Sequence, residues 1–370
     1  MSRGRLLSLG NLGVLISTRR HPPSRVVDRS QSAVRKYPAG APRVHPRGLA
    51  IVVLVGKQMR SEPLRDGTRT SKFAGKKGPV CGSLPAQTAA RATARLSALE
   101  SLRGHWREYL MEGGEIASYM FLVCTFATFL LHPTSPVRHF IHTVILRRAL
   151  MGLLVGSAVV AIITTPWGKQ SGGHFNPAIT LTFYRLGKLS FWDMLFYVIA
   201  QFAGAIGGVG VAAYVLRDAP KNPAVHYAVT APGIFGNVGA FLGEVSISFL
   251  LMATILVSSN RDGLSRYTPY LVGVLYATFI IFESPLSGMS MNPARTLGSA
   301  LRAGYWRAFW IYVIAPTLGM LAGAETFLWC RRGIGPYCAK LDHDNDKRCI
   351  FHHGCCREFS ILISRRDGDE

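Results

Sequence analysis

The sequence predicts an all-α membrane protein with six transmembrane helices plus two half-helices in an inverted repeat. Three observations carry that prediction. Hydrophobic residues make up 49% of the 370 residues and charged residues only 17%. The mean hydropathy is +0.22, too apolar for an ordinary soluble domain and suited to a polytopic membrane protein with a polar extension. Apolar runs long enough to approach or span a bilayer recur after residue 111. Finally, one short motif occurs twice, as Ser171-Gly172-Gly173-His174-Phe175-Asn176-Pro177-Ala178 and as Ser287-Gly288-Met289-Ser290-Met291-Asn292-Pro293-Ala294-Arg295.

Taken in order, residues 1–100 form a basic extension rich in Arg, Ser, Gly and Pro. Residues 1–108 hold 21 Lys and Arg against 5 Asp and Glu, so most of the formal net charge of +22 belongs to this extension. Its one apolar run, Leu49 to Val55, is far short of the ~20 residues a helix needs to span a bilayer. The extension is expected to be disordered and dispensable, with Met59 and Met111 as internal start candidates. Two alternatives stay open: a basic arm for anionic lipid or nucleic acid, and an organellar transit peptide, since the first thirty residues are Arg-rich and nearly acid-free. No aromatic interleaving or binding fold accompanies the charge, so no nucleic-acid partner is expected.

Residues 101–332 form the membrane domain. The predicted spans are 112–131, 148–166, 192–216, 235–258, 268–284 and 306–329. The halves repeat: Glu115 and Thr125 in span one match Glu244 and Thr254 in span four, with Glu and Thr ten positions apart in each case. Tyr197-Val198-Ile199-Ala200 in span three matches Tyr312-Val313-Ile314-Ala315 in span six. Three spans per half turn the second copy upside down, which places a functional site at the pseudo-two-fold midplane.

The two motifs fall between spans two and three and between spans five and six. Asn is a preferred N-cap, and Pro suits the first helical position, where its missing N–H costs nothing. Each box therefore reads as irregular backbone followed by a short helix, Ile179 to Leu186 and Arg295 to Leu301. Irregular backbone at membrane depth is tolerated where it lines a water-filled cavity. Two half-helix N-termini meeting there make a polar, electropositive spot in a pore.

Paired boxes of this form, the second continuing into Arg295, closely resemble those of the aquaporin (major intrinsic protein) family. The resemblance covers roughly residues 100–335. It implies a passive channel for water, also passing small neutral solutes such as glycerol, urea, ammonia or peroxide, with no cofactor and no bound metal. It implies a homotetramer in the bilayer, one pore per subunit. The expected location is a plasma membrane or bacterial inner membrane with both termini cytoplasmic. The basic extension and Arg331 and Arg332 fit that orientation, although the loop with Arg138, Arg147 and Arg148 runs against it.

The resemblance also assigns residues. Asn176, Pro177, Ala178, Asn292, Pro293 and Ala294 form the pore boxes, and the two Asn amides donate to the oxygen of a passing molecule. Gly172, Gly173, His174, Gly288 and Ser290, with Met289, present a ladder of backbone carbonyls. His174 is given a structural hydrogen-bonding role. The outer selectivity filter falls on Gly156, Ile280, Met289 and Arg295, with Arg295 a fixed positive charge that excludes cations. Gly156 and Ile280 imply a wide, weakly polar aperture, whereas Thr296 after Arg295 is water-channel-like, so the preferred solute stays open. Glu115 and Glu244 accept hydrogen bonds from the box loops. Glu283 is read as a charge at the outer mouth.

Residues 333–370 form a polar tail rich in Cys and His: Cys338, His343, Cys349, His352, His353, Cys355 and Cys356. Their spacing matches no standard zinc finger, and reduced, solvated thiols are the expectation. No nucleophile–base pair or Gly-rich phosphate loop is present, so an enzyme is not expected. Two rival functions remain: a secondary transporter carrying protons through Glu115 and Glu244, and a non-conducting membrane scaffold.

Overall fold

Ser97 opens the first helix with a reciprocal cap. Its hydroxyl accepts from the Glu100 N–H at 3.3 Å, and the Glu100 carboxylate accepts from the Ser97 N–H at 2.8 Å. In the computed structural model, which describes residues 97–351, helix α1 follows as Ala98–Leu131. It begins well before the predicted span at 112. The polar stretch Arg103–Arg107 lowers local hydropathy without lowering helix propensity, so the helix projects beyond the bilayer. The rest of the basic extension, Met59 and Cys81 included, lies outside the described residues, as do His352, His353, Cys355 and Cys356.

The remaining helices follow the predicted order. A short helix, α2 (Pro136–Phe140), links α1 to α3 (Val144–Thr164). The first box is framed by α4 (Pro166–Ser171) and the half-helix α5 (Pro177–Arg185). The first half closes with α6 (Phe191–Val215). The second half has α7 (Gly236–Ser259), α8 (Thr268–Phe282), the short α9 (Ser284–Ser287), the half-helix α10 (Pro293–Ala303) and α11 (Phe309–Cys330). Among the described residues there is no β-strand.

Helices α1, α3, α6, α7 and α11 are long and apolar enough to cross a membrane. Helix α8, predicted as a span over 268–284, has 15 residues, about 22 Å at 1.5 Å per residue. The 3₁₀ turn Ser265–Tyr267 precedes it and α9 follows it.

Packing follows the repeat. Helix α1 lies against α6 and α7 against α11, the first and third spans of each half, while α3 and α8 pair the halves across the pseudo-two-fold. Each half-helix leans on the other half: α5 on α11, and α10 on α6. Small residues let the backbones touch. A Cβ at Gly204 would collide with the Gly113 carbonyl where α6 meets α1, and one at Gly156 would sit 2.5 Å from the Gly273 carbonyl where α3 meets α8. Such contacts replace the hydrophobic drive that lipid cannot supply. Large apolar side chains such as Leu153, Val211, Val274 and Leu318 are exposed on the outside, the surface that acyl chains cover.

Candidate pore and its constriction

The local sequence builds each box in the same way. Asn176 caps α5 through its Oδ1, which accepts from the Ala178 N–H at 2.9 Å. Asn292 caps α10, accepting from the N–H groups of Ala294 at 3.0 Å and Arg295 at 3.2 Å. Pro177 and Pro293 take the first helical positions. The loops ahead need left-handed backbone, and Gly172 at φ 113° and Gly288 at φ 84° provide it.

The caps also join the halves. The Asn176 Nδ2 donates to the Met291 carbonyl at 2.7 Å, and the Asn292 Nδ2 donates to the Phe175 carbonyl at 2.8 Å. The two half-helix tips therefore meet, and both Asn residues are buried. An amide carries two N–H donors, so one per Asn is committed to this contact.

Buried carboxylates hold the loops. Glu244 accepts from the Ser287 hydroxyl and from the Ser290 and Met291 N–H groups, each at 2.7 Å. Glu115 accepts from the Ser171 hydroxyl at 2.7 Å. The matching backbone donors of the first loop go elsewhere: His174 and Phe175 donate to Glu112 at 2.9 and 2.6 Å. Glu112 also takes the Gln201 amide at 2.8 Å. The repeat in sequence pointed to Glu115 alone. The signal for Glu112 was present, because Glu108, Glu112 and Glu115 recur at helical spacing on one buried face of α1. Tyr197 and Tyr312 add matched anchors, donating to the Ser171 and Ser287 carbonyls at 2.6 Å each.

His174 is fully buried. Its Nε2–H donates to the Ala339 carbonyl at 2.8 Å, while Nδ1 lies 3.2 Å from the Thr180 hydroxyl. Thr180 in turn accepts from Gln201 at 3.0 Å. The ring thus has a hydrogen-bond partner at both nitrogens.

On the opposite side of the boxes lies a cavity of about 240 Å³. Ile280, Met289 and Arg295 line it together, and so does Gly288 of the carbonyl ladder. Gly156 does not. It faces α8 at the Gly273 crossing, and its neighbour Val155 lines the cavity instead, with Met151 one turn away. Counting back from Asn176 fixes depth along α3, but each step along a helix turns the side chain by about 100°. Tyr119 of α1 joins the wall, a position the boxes give no means of counting to. Arg295 is 7% exposed, and its Nη1 has no hydrogen-bond partner among the described residues. Glu283 is not an exposed mouth charge. It is buried, with Oε1 packed over Gly243.

The carbonyl of Gly172 accepts from the Leu341 N–H at 3.0 Å. In the same C-terminal stretch, the Cys338 and Cys349 sulfurs lie 3.9 Å apart. No group of three His, Cys, Asp or Glu poised to hold a metal ion occurs among the described residues.

The Major intrinsic protein family model matches residues 100–327, most of the described chain and both boxes. The chain belongs to the major intrinsic protein family. This is a family of membrane channels rather than enzymes, so the chain is an integral, multi-pass membrane protein. Among its relatives is a probable NIP-type aquaporin of Nicotiana alata, 35% identical over 171 residues that span 46% of this chain and 61% of that one. Aquaporin NIP2-3 of Zea mays is 33% identical over 190 residues, 51% of this chain and 61% of that one. Nodulin-26 of Glycine max is 33% identical over 175 residues, 47% of this chain and 63% of that one. The chain thus matches less than two thirds of the length of these relatives. An aquaglyceroporin structure from Plasmodium falciparum superposes with a TM-score of 0.53 at 21% identity, covering 62% of this chain and 98% of that one. That likeness establishes the shared fold.

Proposed function

We propose that this major intrinsic protein conducts water passively and admits small neutral solutes such as glycerol, urea, ammonia or peroxide. The observation that carries the reading is the cavity beside the joined half-helix tips, walled by Tyr119, Val155, Ile280 and Met289 with the buried cation Arg295, and lined also by the half-buried Arg147 and Arg148. Aliphatic walls hold a solute weakly, and a guanidinium with an uncommitted donor orients its oxygen while repelling cations. The second N–H of Asn176 and of Asn292 would repeat that donation at the midplane. The positive ends of α5 and α10 add to the barrier against protons. The names of the curated relatives support a water-channel reading, and that of the Plasmodium neighbour a polyol one. A homotetramer in a plasma membrane, with termini on the cytoplasmic side, completes the proposal.

Proton coupling through Glu115 and Glu244 is disfavoured, because Glu244 is committed to three donors of the second loop and Glu115 to Ser171. The test is stopped-flow light scattering on reconstituted vesicles under sucrose, glycerol and urea gradients. Flux should follow the osmotic or solute gradient alone, and Arg295→Val should loosen solute and cation exclusion. Uptake that requires a proton gradient would overturn the passive reading, and unchanged selectivity in the variant would overturn the assigned constriction.

A further inference from the structure

Residues 337–351 do not trail from the last span as a solvated tail. Ala339 is 0% exposed, and Lys340 and Leu341 are 1% exposed, although the sequence around them is polar. What covers them is the loop of the first box. Leu341 donates its N–H to the Gly172 carbonyl at 3.0 Å, and Ala339 accepts from His174 at 2.8 Å. The Phe351 ring stacks on His174 at 5.6 Å with planes 20° apart, and Phe183 stacks on the same imidazole at 5.0 Å and 14°. A Cβ at Gly172 would lie 2.8 Å from Phe351 Cζ, so the ring is in direct contact with the box loop.

The segment is shaped and tied to hold this position. The Lys340 ammonium donates to the Lys347 and Arg348 carbonyls at 2.9 and 2.8 Å, folding the chain back so that Phe351 returns beside Leu341. Burial lowers the pKa of that ammonium from its ordinary value, as expected for a charge removed from water. Around the rim, Tyr337 donates to the Asn260 side chain at 2.6 Å and accepts from Lys188 at 3.3 Å. Arg348 donates to the Gly104 carbonyl at 3.1 Å, and Asp342 lies 3.8 Å from Lys169. The anchors come from α1, α4, the α5–α6 link and the end of α7, the elements that encircle the first box on the side of the chain termini.

We propose that residues 337–351 are an intramolecular plug seated in the inner vestibule, closing the pore by occupying the carbonyl and imidazole of the first box. The proposal rests on the channel reading above. A peptide N–H on the Gly172 carbonyl holds an acceptor that water would otherwise use, and a phenyl ring fills the space beside it. Because the segment is tethered through α11, its effective concentration at the vestibule is high without any tight individual contact. A ligand or partner that competes for the segment would open the pore.

The test is the osmotic water permeability per molecule of the full-length chain in vesicles, compared with the full-length double variant Leu341→Pro/Phe351→Ala. Proline removes the N–H that reaches Gly172, and alanine removes the ring. The expected result is a rise on the order of tenfold, the change produced by emptying a site that is roughly nine-tenths occupied. Lys340→Ala, which unfastens the loop without touching the first box, should raise permeability by a smaller factor. A contact that is only structural would lower permeability when lost or leave it alone, whereas a plug raises it. Equal or reduced permeability in both variants overturns the plug. If wild type and variants alike pass no water, the channel reading fails with it.

Discussion

Around Asn292, one carboxylate does all the anchoring: Glu244 accepts a serine hydroxyl and two backbone N–H groups. Around Asn176 the same three donors are divided, with Ser171 on Glu115 and the His174 and Phe175 N–H groups on Glu112. The second loop opens onto the cavity lined by Arg295, whereas the first is covered by the C-terminal segment. Both halves meet one requirement, that buried backbone donors in an irregular loop find acceptors. They show that the requirement fixes the donors and leaves the acceptor free to move along the neighbouring helix. Glu112 lies on α1 in the turn before Glu115 and reaches the same loop.

That contrast can be broken by substitution. The largest effect is expected from Glu244→Ala, which orphans two buried backbone donors at about 1–3 kcal/mol each. Glu115→Ala leaves those of its own half on Glu112 and should cost markedly less. Thermal melting in detergent measures both, and equal losses would erase the distinction between the halves. A tenfold fall in solute flux with normal folding is next: Val155→Phe should produce it, about 1.4 kcal/mol in barrier terms. Gly156→Leu should instead damage folding, because its side chain has to enter the α3–α8 crossing. If Gly156→Leu folds normally and alters selectivity, Gly156 belongs to the aperture after all. A smaller difference separates the caps. Asn292 satisfies two N–H groups of its helix and Asn176 one, so Asn292→Ala should cost more than Asn176→Ala by about 1 kcal/mol. The smallest effect sharpens the comparison by its symmetry. Tyr197→Phe and Tyr312→Phe each remove one matched hydrogen bond, worth about 0.5–1.5 kcal/mol, and chemical denaturation should give equal shifts.

The boxes were legible in the sequence because their chemistry is local. An Asn cap, a Pro at the first turn and a Gly at positive φ each leave a residue-type signature within a few positions. The spans were legible from hydropathy, and the pairing of Glu115 with Glu244 from the repeat. What escaped depends on rotation and on distant contact. Whether Val155 or Gly156 faces the cavity turns on which side of α3 meets Gly273. Tyr119 sits far from either box along the chain. The seating of residues 337–351 has no periodic pattern to announce it, since the apolar residues it buries, Cys338, Ala339, Leu341 and Phe351, recur at neither helical nor strand spacing.

The reciprocal amide bonds, Asn176 to the Met291 carbonyl and Asn292 to the Phe175 carbonyl, tie the fate of each repeat to the other. A lone repeat would expose an uncapped carbonyl and an idle amide at its tip, and would have to recruit an upside-down copy to quench them. The contact between the tips does not itself depend on the linker being continuous. Two fragments cut between Ala219 and Gly236 carry complementary tips, and reassembly of the severed chain follows from chemistry already present at the contact.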